Sequence, residues 1–295
     1  MGNENSGQAA PVPTVALNAA NAQNVGGDVL RASVQSASRN GMFLPADATA
    51  AALPRTYVLS RFLADRIARA PQPRQPLAGM QASVVQTQPC TGGGNITIVS
   101  DASFVSETFN ACSENGVTVN GSLTISAITA TQTSFSAITS VDLTFSAVGF
   151  ADQRFTGTFT VSETGIGGNQ LTITISGMDL VLTQGNNVEH LGSFTFSTTI
   201  DVSTSGTTDS VSFAYSSTEI GGTVVVTTLT PFQTTPGRQF PHTGAIQIVG
   251  VNGSTIRVTV NGDETGATPQ VTIQLDANGD GVFELTLNKN WADLV

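Results

Sequence analysis

Alternation of apolar and polar residues with a period of two governs most of this chain. From residue 92 onwards it recurs in about a dozen short runs, most of which end at Gly, Asn or Asp. Successive side chains of a β-strand point to opposite faces, so each run can bury one row and leave the other in water. Because the turns between runs are short, neighbouring strands are predicted to be antiparallel. Clear examples are NITIVS (95–100), QRFTGTFTVSE (153–163), NQLTITISGMDLVLTQ (169–184) and TIRVTVNG (255–262).

The first 80 residues follow a different pattern. Residues 1–16 are predicted to form a flexible leader, and residues 17–80 a helical segment that ends in a proline-rich linker, PQPRQP. Residues 81–295 are assigned to an antiparallel β domain. The predicted fold is therefore mainly β: a large twisted antiparallel sheet, arranged as a half-open barrel or a sandwich, with one or two N-terminal α-helices packed on it.

Two stretches before residue 80 carry helical periodicity. In the first, 18–38, Asn18 can cap the helix, while Gly26 and Gly27 weaken it by about 1 kcal/mol each. In the second, 53–69, arginines lie largely opposite an apolar stripe, which favours packing on the sheet over lying on a membrane surface. The apolar faces are Ala22, Val25, Val29 and Ala32 in the first stretch and Leu59, Phe62, Leu63, Ile67 and Ala70 in the second.

Charge is sparse and unevenly placed. The net charge is −10 and only 11% of residues are charged. Residues 1–80 carry seven Arg against four acids (+3), and residues 81–295 carry four basic residues against 17 acids (−13), which together give −10. An acidic surface repels phosphate backbones, so no nucleic-acid partner is expected. The basic first part is expected to dock on the acidic body, or to serve as an arm for an acidic partner.

Cys90 and Cys112 are the two cysteines of the chain. One structural disulfide between them is the favoured interpretation, and it implies an oxidising compartment. A redox or metal pair is the alternative, although no nearby His or C-x-x-C spacing supports it. The start of the chain fits the myristoylation pattern through Gly2 and Ser6. Myristoylation belongs to the cytosol, where a disulfide is not expected. The favoured interpretation is therefore an exported protein that has lost its leader, and with it an N-terminal lipid tether to a membrane. The expected location is the periplasm, the outer-membrane surface or the extracellular space.

Residues 276–284, DANGDGVFE, place oxygen-bearing side chains at alternate positions between two strand-like runs. The order resembles the first half of an EF-hand loop, which predicts a calcium site at Asp276, Asn278, Asp280 and Glu284. The twelfth position is Leu287 where that loop has a bidentate Glu, and strands replace the flanking helices. A hairpin turn held by Asx hydrogen bonds, with no cofactor, is therefore the favoured alternative.

None of the common nucleophile, phosphate-binding or zinc-protease motifs occurs, and the histidines His190 and His242 are far apart in sequence. The predicted function is a non-enzymatic structural or surface-binding role in the cell envelope or outside the cell. The alternatives are a carrier that holds an apolar ligand or lipid in a curved-sheet cavity, and an extracellular hydrolase without a recognisable motif. Exposed strand edges also predict a homo-oligomer, with 223–230 (TVVVTTLT) as the candidate edge strand.

Five stretches of the chain are distinctive: NAANAQNV (18–25), CTGGGNIT (90–97), FNACS (109–113), VNGSLTI (119–125) and LDANGDGVFELTLNKNWADL (275–294). In this order they resemble a group of uncharacterised proteobacterial envelope proteins. This resemblance spans most of the chain and implies an exported, β-rich protein without a known activity. It also supports a bridge between Cys90 and Cys112, and it carries no catalytic residues.

Overall fold

The computed structural model describes residues 11–37, 84–101, 104–114, 116–149, 151–235, 241–262, 270–291 and 294. Within them the chain forms one α-helix, fourteen β-strands and a short 3-10 helix. The predicted second helix (53–69) and the PQPRQP linker lie outside these residues. The bounds are α1 Ala22–Ala37, β1 Val84–Pro89, β2 Asn95–Ser100, β3 Phe104–Glu114, β4 Val117–Ala130, β5 Ser134–Ala147, β6 Gln153–Thr164, β7 Gln170–Gln184, β8 Asn187–Asp201, β9 Thr207–Ser217, β10 Gly222–Thr234, β11 Thr243–Val249, the 3-10 helix Val251–Gly253, β12 Thr255–Asn261, β13 Gln270–Asp276 and β14 Leu285–Asn290.

The strands form a single antiparallel sheet in which each strand pairs with its neighbours in sequence. Such a meander follows from the short connections: ten of the thirteen have two to five residues and three have eight, whereas a crossover between parallel strands takes a dozen or more. The sheet is open: β1 and β14 are its two edges among the described strands. The mainly β, antiparallel prediction is confirmed, and the arrangement is one continuous open sheet.

The two faces of the sheet differ as the alternation predicts. One face, here called the inner face, carries apolar rows that run across the strands, such as Leu143 on β5, Phe155 on β6 and Leu182 on β7, which are cross-strand partners and buried. The opposite, outer face carries mostly Ser and Thr at the intervening positions. Burial of the inner rows is the main stabilising term of such a sheet.

Helix α1 packs on the inner face of the C-terminal half of the sheet. Its residues approach β8, β9, β11, β12 and β13. Strands lie about 4.8 Å apart, so a flat sheet would separate β8 from β13 by about 24 Å. The 16-residue helix is itself about 24 Å long, which is enough to contact all of these strands. Val25, Val29 and Leu30 are almost fully buried in this contact, and Gly26 brings the helix close to Ile273 on β13.

The residues that precede α1 are also bound to the sheet. The Thr14 amide donates to the Thr223 carbonyl (2.8 Å), and the Val251 amide donates to the Val15 carbonyl (2.8 Å). Val15 and Leu17 are buried. The sequence assigned residues 14–16 to the flexible leader, but the structure bonds this part to the sheet, because the apolar alternation of Val15 and Leu17 continues the core.

No helix in the part of the chain that the structure describes is long and apolar enough to cross a membrane.

Candidate functional site

The outer face carries a continuous row of mostly polar side chains. One row of cross-strand partners crosses it without a break from β4 to β14. Ser, Thr and Gln fill all but two of its positions, Ile138 and Arg257. We call this row the hydroxyl row; it consists of Ser126, Ile138, Thr160, Ser176, Thr195, Ser212, Thr227, Gln247, Arg257, Gln274 and Thr286.

Hydroxyl groups bond to one another beside this row. Each hydroxyl can donate one hydrogen bond and accept others, so a bonded pair still offers free acceptor capacity to a ligand. The threonine side chains are also stiff at χ1, which fixes the directions in which their hydroxyls point. The bonded pairs are Ser106–Thr124 (3.2 Å), Ser140–Thr158 (2.9 Å), Thr172–Thr199 (3.0 Å) and Thr174–Ser197 (3.5 Å).

An ion pair and a histidine–carboxylate contact interrupt the outer face on β5 to β8. Arg154 donates two hydrogen bonds to Asp142, at 2.9 and 3.0 Å, and this contact lowers the pKa of the Asp142 carboxyl. His190 Nδ1 lies 3.4 Å from Asp179 Oδ1, and both side chains are about half exposed (47% and 64%). A histidine–carboxylate pair open to water lacks the dry surroundings that strengthen catalytic electrostatics.

The predicted calcium-binding side chains do meet in the structure. Asp276, Asp280 and Glu284 each bring a carboxylate oxygen within 4.8 Å of the others, close enough to share one cation. Backbone amides of the loop do not take part in the pairing of β13 with β14. Some of them donate hydrogen bonds to these carboxylate oxygens instead. Asp276 accepts from the amides of Gly279 (2.7 Å) and Gly281 (2.8 Å), and Glu284 accepts from the Ala277 amide (2.9 Å).

Asn278 takes part in the same turn rather than standing apart as a ligand. Its side-chain oxygen accepts from the Asp280 amide (2.9 Å), and its side-chain nitrogen donates to Asp280 Oδ2 (3.1 Å). Gly279 and Gly281 have φ of 76° and 86°, left-handed values that glycine adopts without the steric cost a side chain would bring. Asx-type bonds and the Glu284–Ala277 contact hold this hairpin, and the same three carboxylates lie close enough to one another to share a cation.

Cys90 and Cys112 form a disulfide with a Cα–Cα distance of 5.4 Å, the pairing expected from the sequence. Cys90 follows β1 directly, and Cys112 lies on β3. Backbone hydrogen bonds between Gly92 and Ser113 (2.8 Å) and between Ser113 and Gly93 (2.9 Å) fasten the β1–β2 turn to the same strand. The bridge therefore ties the first hairpin to β3, and bridged sulfurs are not metal ligands.

A buried carboxyl group on the inner face of β9 was not predicted from the sequence. Asp209 is 3% exposed and lies between Thr198 on β8 and Phe232 on β10. Its Oδ2 accepts from the Thr207 hydroxyl (3.3 Å), while Oδ1 has no hydrogen-bond partner among the residues that the structure describes. Burial raises the pKa of Asp209 to about 7, only partly offset by the threonine hydroxyls. The signal in the sequence is the polar residue at an apolar-phase position of TTDSVSF.

His242 lies immediately before β11, which begins at Thr243, and follows a proline-containing stretch of the sequence. Its backbone amide donates to the Gln233 carbonyl (2.9 Å), and its Nδ1 lies 3.3 Å from the Thr235 hydroxyl. These contacts are those of a strand-end residue, and they do not bring His242 to the Asp179–His190 pair on β7 and β8.

Comparison with known proteins finds no similarity that could assign a function: no protein-family model, no curated protein and no solved structure matches this chain.

Proposed function

We propose that this protein is a non-enzymatic, exported protein of the cell envelope or extracellular space, which binds neutral hydroxylated polymers such as envelope polysaccharides through its outer face. The hydroxyl row is the observation that carries this proposal. It presents Ser, Thr and Gln at the strand spacing of about 4.8 Å across most of the sheet. The disulfide supports an oxidising compartment.

The sheet holds these side chains in place before a polymer binds, so few of them must be ordered on binding. A polymer with repeated hydroxyls can exchange its water bonds for bonds to several strands at once, and the pre-set threonine rotamers keep the entropy cost low. Charge contributes little, because the row holds one charged residue, Arg257, whose guanidinium lies over the Phe283 ring at 5.0 Å. Binding is therefore expected to be insensitive to salt.

The two other expectations from the sequence find less support. A carrier would need the inner face for its apolar ligand, but α1 already covers that face at β8, β9 and β11 to β13. A hydrolase would need its histidine and carboxylate in a cleft, and the Asp179–His190 pair lies on the exposed face.

The test is retention on insoluble neutral glucans, in roughly 0.1 and 1 M NaCl. Wild-type protein is expected to bind about equally at both salt concentrations. Thr160→Glu with Thr195→Glu places two carboxylates on the hydroxyl row and is expected to weaken binding by about tenfold or more. Val148→Glu is the matched control, because Val148 is 98% exposed at the β5–β6 turn, away from the row. Wild-type protein that fails to bind, or a row variant that binds like the control, would refute the proposal.

A further inference from the structure

The two edges of the sheet are not equivalent. On β14 the side chain of Lys289, the one lysine of the chain, faces the inner side together with Leu285 and Leu287. A charged residue on the inner side of an edge strand hinders pairing with another strand. The chain then turns into the core, where Trp291 and Leu294 are buried. The β14 edge is thus protected in the way that natural sheets protect their edges.

Among the residues that the structure describes, nothing of this kind protects strand β1. All six of its residues are exposed, on both faces, and they include Val84 (37%) and Val85 (64%). Neither β1 (VVQTQP) nor β2 (NITIVS) contains a charged residue, although the whole chain has a net charge of −10. The side chains of these two strands therefore add no charge repulsion to the approach of a second acidic molecule.

The hydrogen-bond pattern shows which main-chain groups of β1 point away from the sheet. The Cys90 amide donates to the Gly94 carbonyl (3.2 Å), which continues the β1–β2 register. Bonded and non-bonded pairs alternate along an antiparallel ladder. The groups of Val85, Thr87 and Pro89 are therefore directed to the free edge. Pro89, which has no N–H, stands where a donor would face outward, so Val85 and Thr87 supply the outward N–H groups.

The disulfide keeps this edge in place. With exposed side chains on both faces, β1 gains little from burial and would fray as an edge strand. Cys90, at its end, is joined to Cys112 on β3. Closing a loop with a sequence separation of 22 residues contributes about 3 kcal/mol in the chain-entropy account. A strand that is already ordered loses less entropy when another strand adds to it.

We propose that β1 is a docking edge at which a second copy of this chain adds its own β1, antiparallel, to give a two-fold symmetric dimer with a continuous sheet. The strand is self-complementary in this arrangement. A two-fold axis at Gln86 sets Val85 opposite Thr87 of the other copy and makes about four main-chain hydrogen bonds. Such an interface is small, so a dissociation constant on the order of 10–100 μM is expected. The dimer is independent of polymer binding by the hydroxyl row.

Sedimentation velocity of the full, oxidised chain over roughly 1–300 μM tests the dimer. Val85→Lys adds a charge at the edge, and Thr87→Pro removes an outward N–H; each is expected to weaken dimerisation by about tenfold or more. Thr286→Lys, on the exposed side of β14, adds the same charge at the other edge and is expected to change it less than about twofold.

Two further measurements locate the contact. Hydrogen exchange at high protein concentration should protect the amides of Val85 and Thr87 relative to dilute protein. Reduction of the disulfide should weaken the dimer while far-UV circular dichroism shows that the sheet persists. A monomer over the whole concentration range, a dimer that Val85→Lys leaves intact, or added protection confined to other strands would each overturn the proposal. Protection of β1 only in the presence of a foreign extended peptide would instead make that peptide the partner and exclude the dimer.

Discussion

Asp209 is the residue whose side chain conflicts most with its surroundings. Its folded-state pKa of about 7 lies above the value of about 3.9 expected in the unfolded chain. The folded protein therefore holds a proton that the unfolded chain has released between these two values, and stability falls as the pH rises through this window. The difference corresponds to about 4 kcal/mol at most.

Replacing this carboxyl by an amide should remove most of that pH dependence. The fall in the free energy of unfolding between about pH 4 and pH 7 is expected to be smaller in Asp209→Asn than in the wild type, so the variant gains relative stability towards pH 8. Urea titrations at four pH values measure it. Asp142→Asn is the control of opposite sign: the pKa of Asp142 is lowered by Arg154, and its contribution is lost as the pH falls below about 4. Parallel curves for the wild type and Asp209→Asn would rule out a buried, titrating Asp209.

Asp276 is the residue on which the acidic hairpin depends. It is 4% exposed, and its two carboxylate oxygens accept the amides of Gly279 and Gly281. Asp276→Ala leaves both amides without these charged acceptors and should lower the free energy of unfolding by about 2–4 kcal/mol. Asp280→Ala, at an exposed position, should cost less than about 1 kcal/mol.

Urea titrations of the wild type and of these variants, in EDTA and in calcium, distinguish a self-contained turn from a metal site. A turn that is complete by itself predicts the same loss for Asp276→Ala in both solutions. A calcium-dependent gain in the wild type that Asp276→Ala, Asp280→Ala and Glu284→Ala all abolish would contradict this prediction and identify the loop as a cation site.

At the scale of elements, the strands themselves could be predicted from the sequence because their alternating pattern is local and strong. Whether a given strand lies at an edge or inside the sheet could not. The stretch 223–230 was expected at an edge, because its Thr and Val residues carry no charge or proline. This prediction was wrong: Val225 pairs with Ala214 on β9 and with Val249 on β11. A strand rich in β-branched residues is equally suited to the centre of a sheet. Position in the sheet depends on the order of all strands, which no single segment encodes.

The acidic hairpin, Asp209 and the β1 edge show the same division between what neighbouring residues determine and what the order of the strands determines. Asp276 and Glu284 are close in sequence and on one turn, so their meeting could be expected from the hairpin alone. The burial of Asp209 could not, because it depends on β8 and β10 on either side of β9. The direction of the free groups on β1 likewise needed the register with β2.

For the whole molecule, the important contact joins the two ends of the described chain. The meander itself is made of sequence-local pairings, but α1 and the residues before it bind β8 to β13 and the segment after β11. The helix thus covers strands in the C-terminal half of the sheet, and its approach to β1 to β7 is weaker or absent among the described residues. Stability of the two halves of the sheet should therefore respond differently to damage in the helix.

Val29→Ala tests this difference, because Val29 is fully buried on α1 and the change removes two methyl groups without adding a polar atom. A loss of about 1–3 kcal/mol is expected. In native-state hydrogen exchange, the amides of β9, β12 and β13 should exchange faster, by the factor equivalent to this loss of unfolding free energy. The amides of β4 and β5 should keep most of their protection.

Ala137→Gly is the counterpart on β5, where the buried side chain lies far along the sheet from α1, and it should affect β4 to β6 first. Equal acceleration in all strands for both variants would mean that the fourteen strands open as one unit, and that the helix stabilises the sheet as a whole.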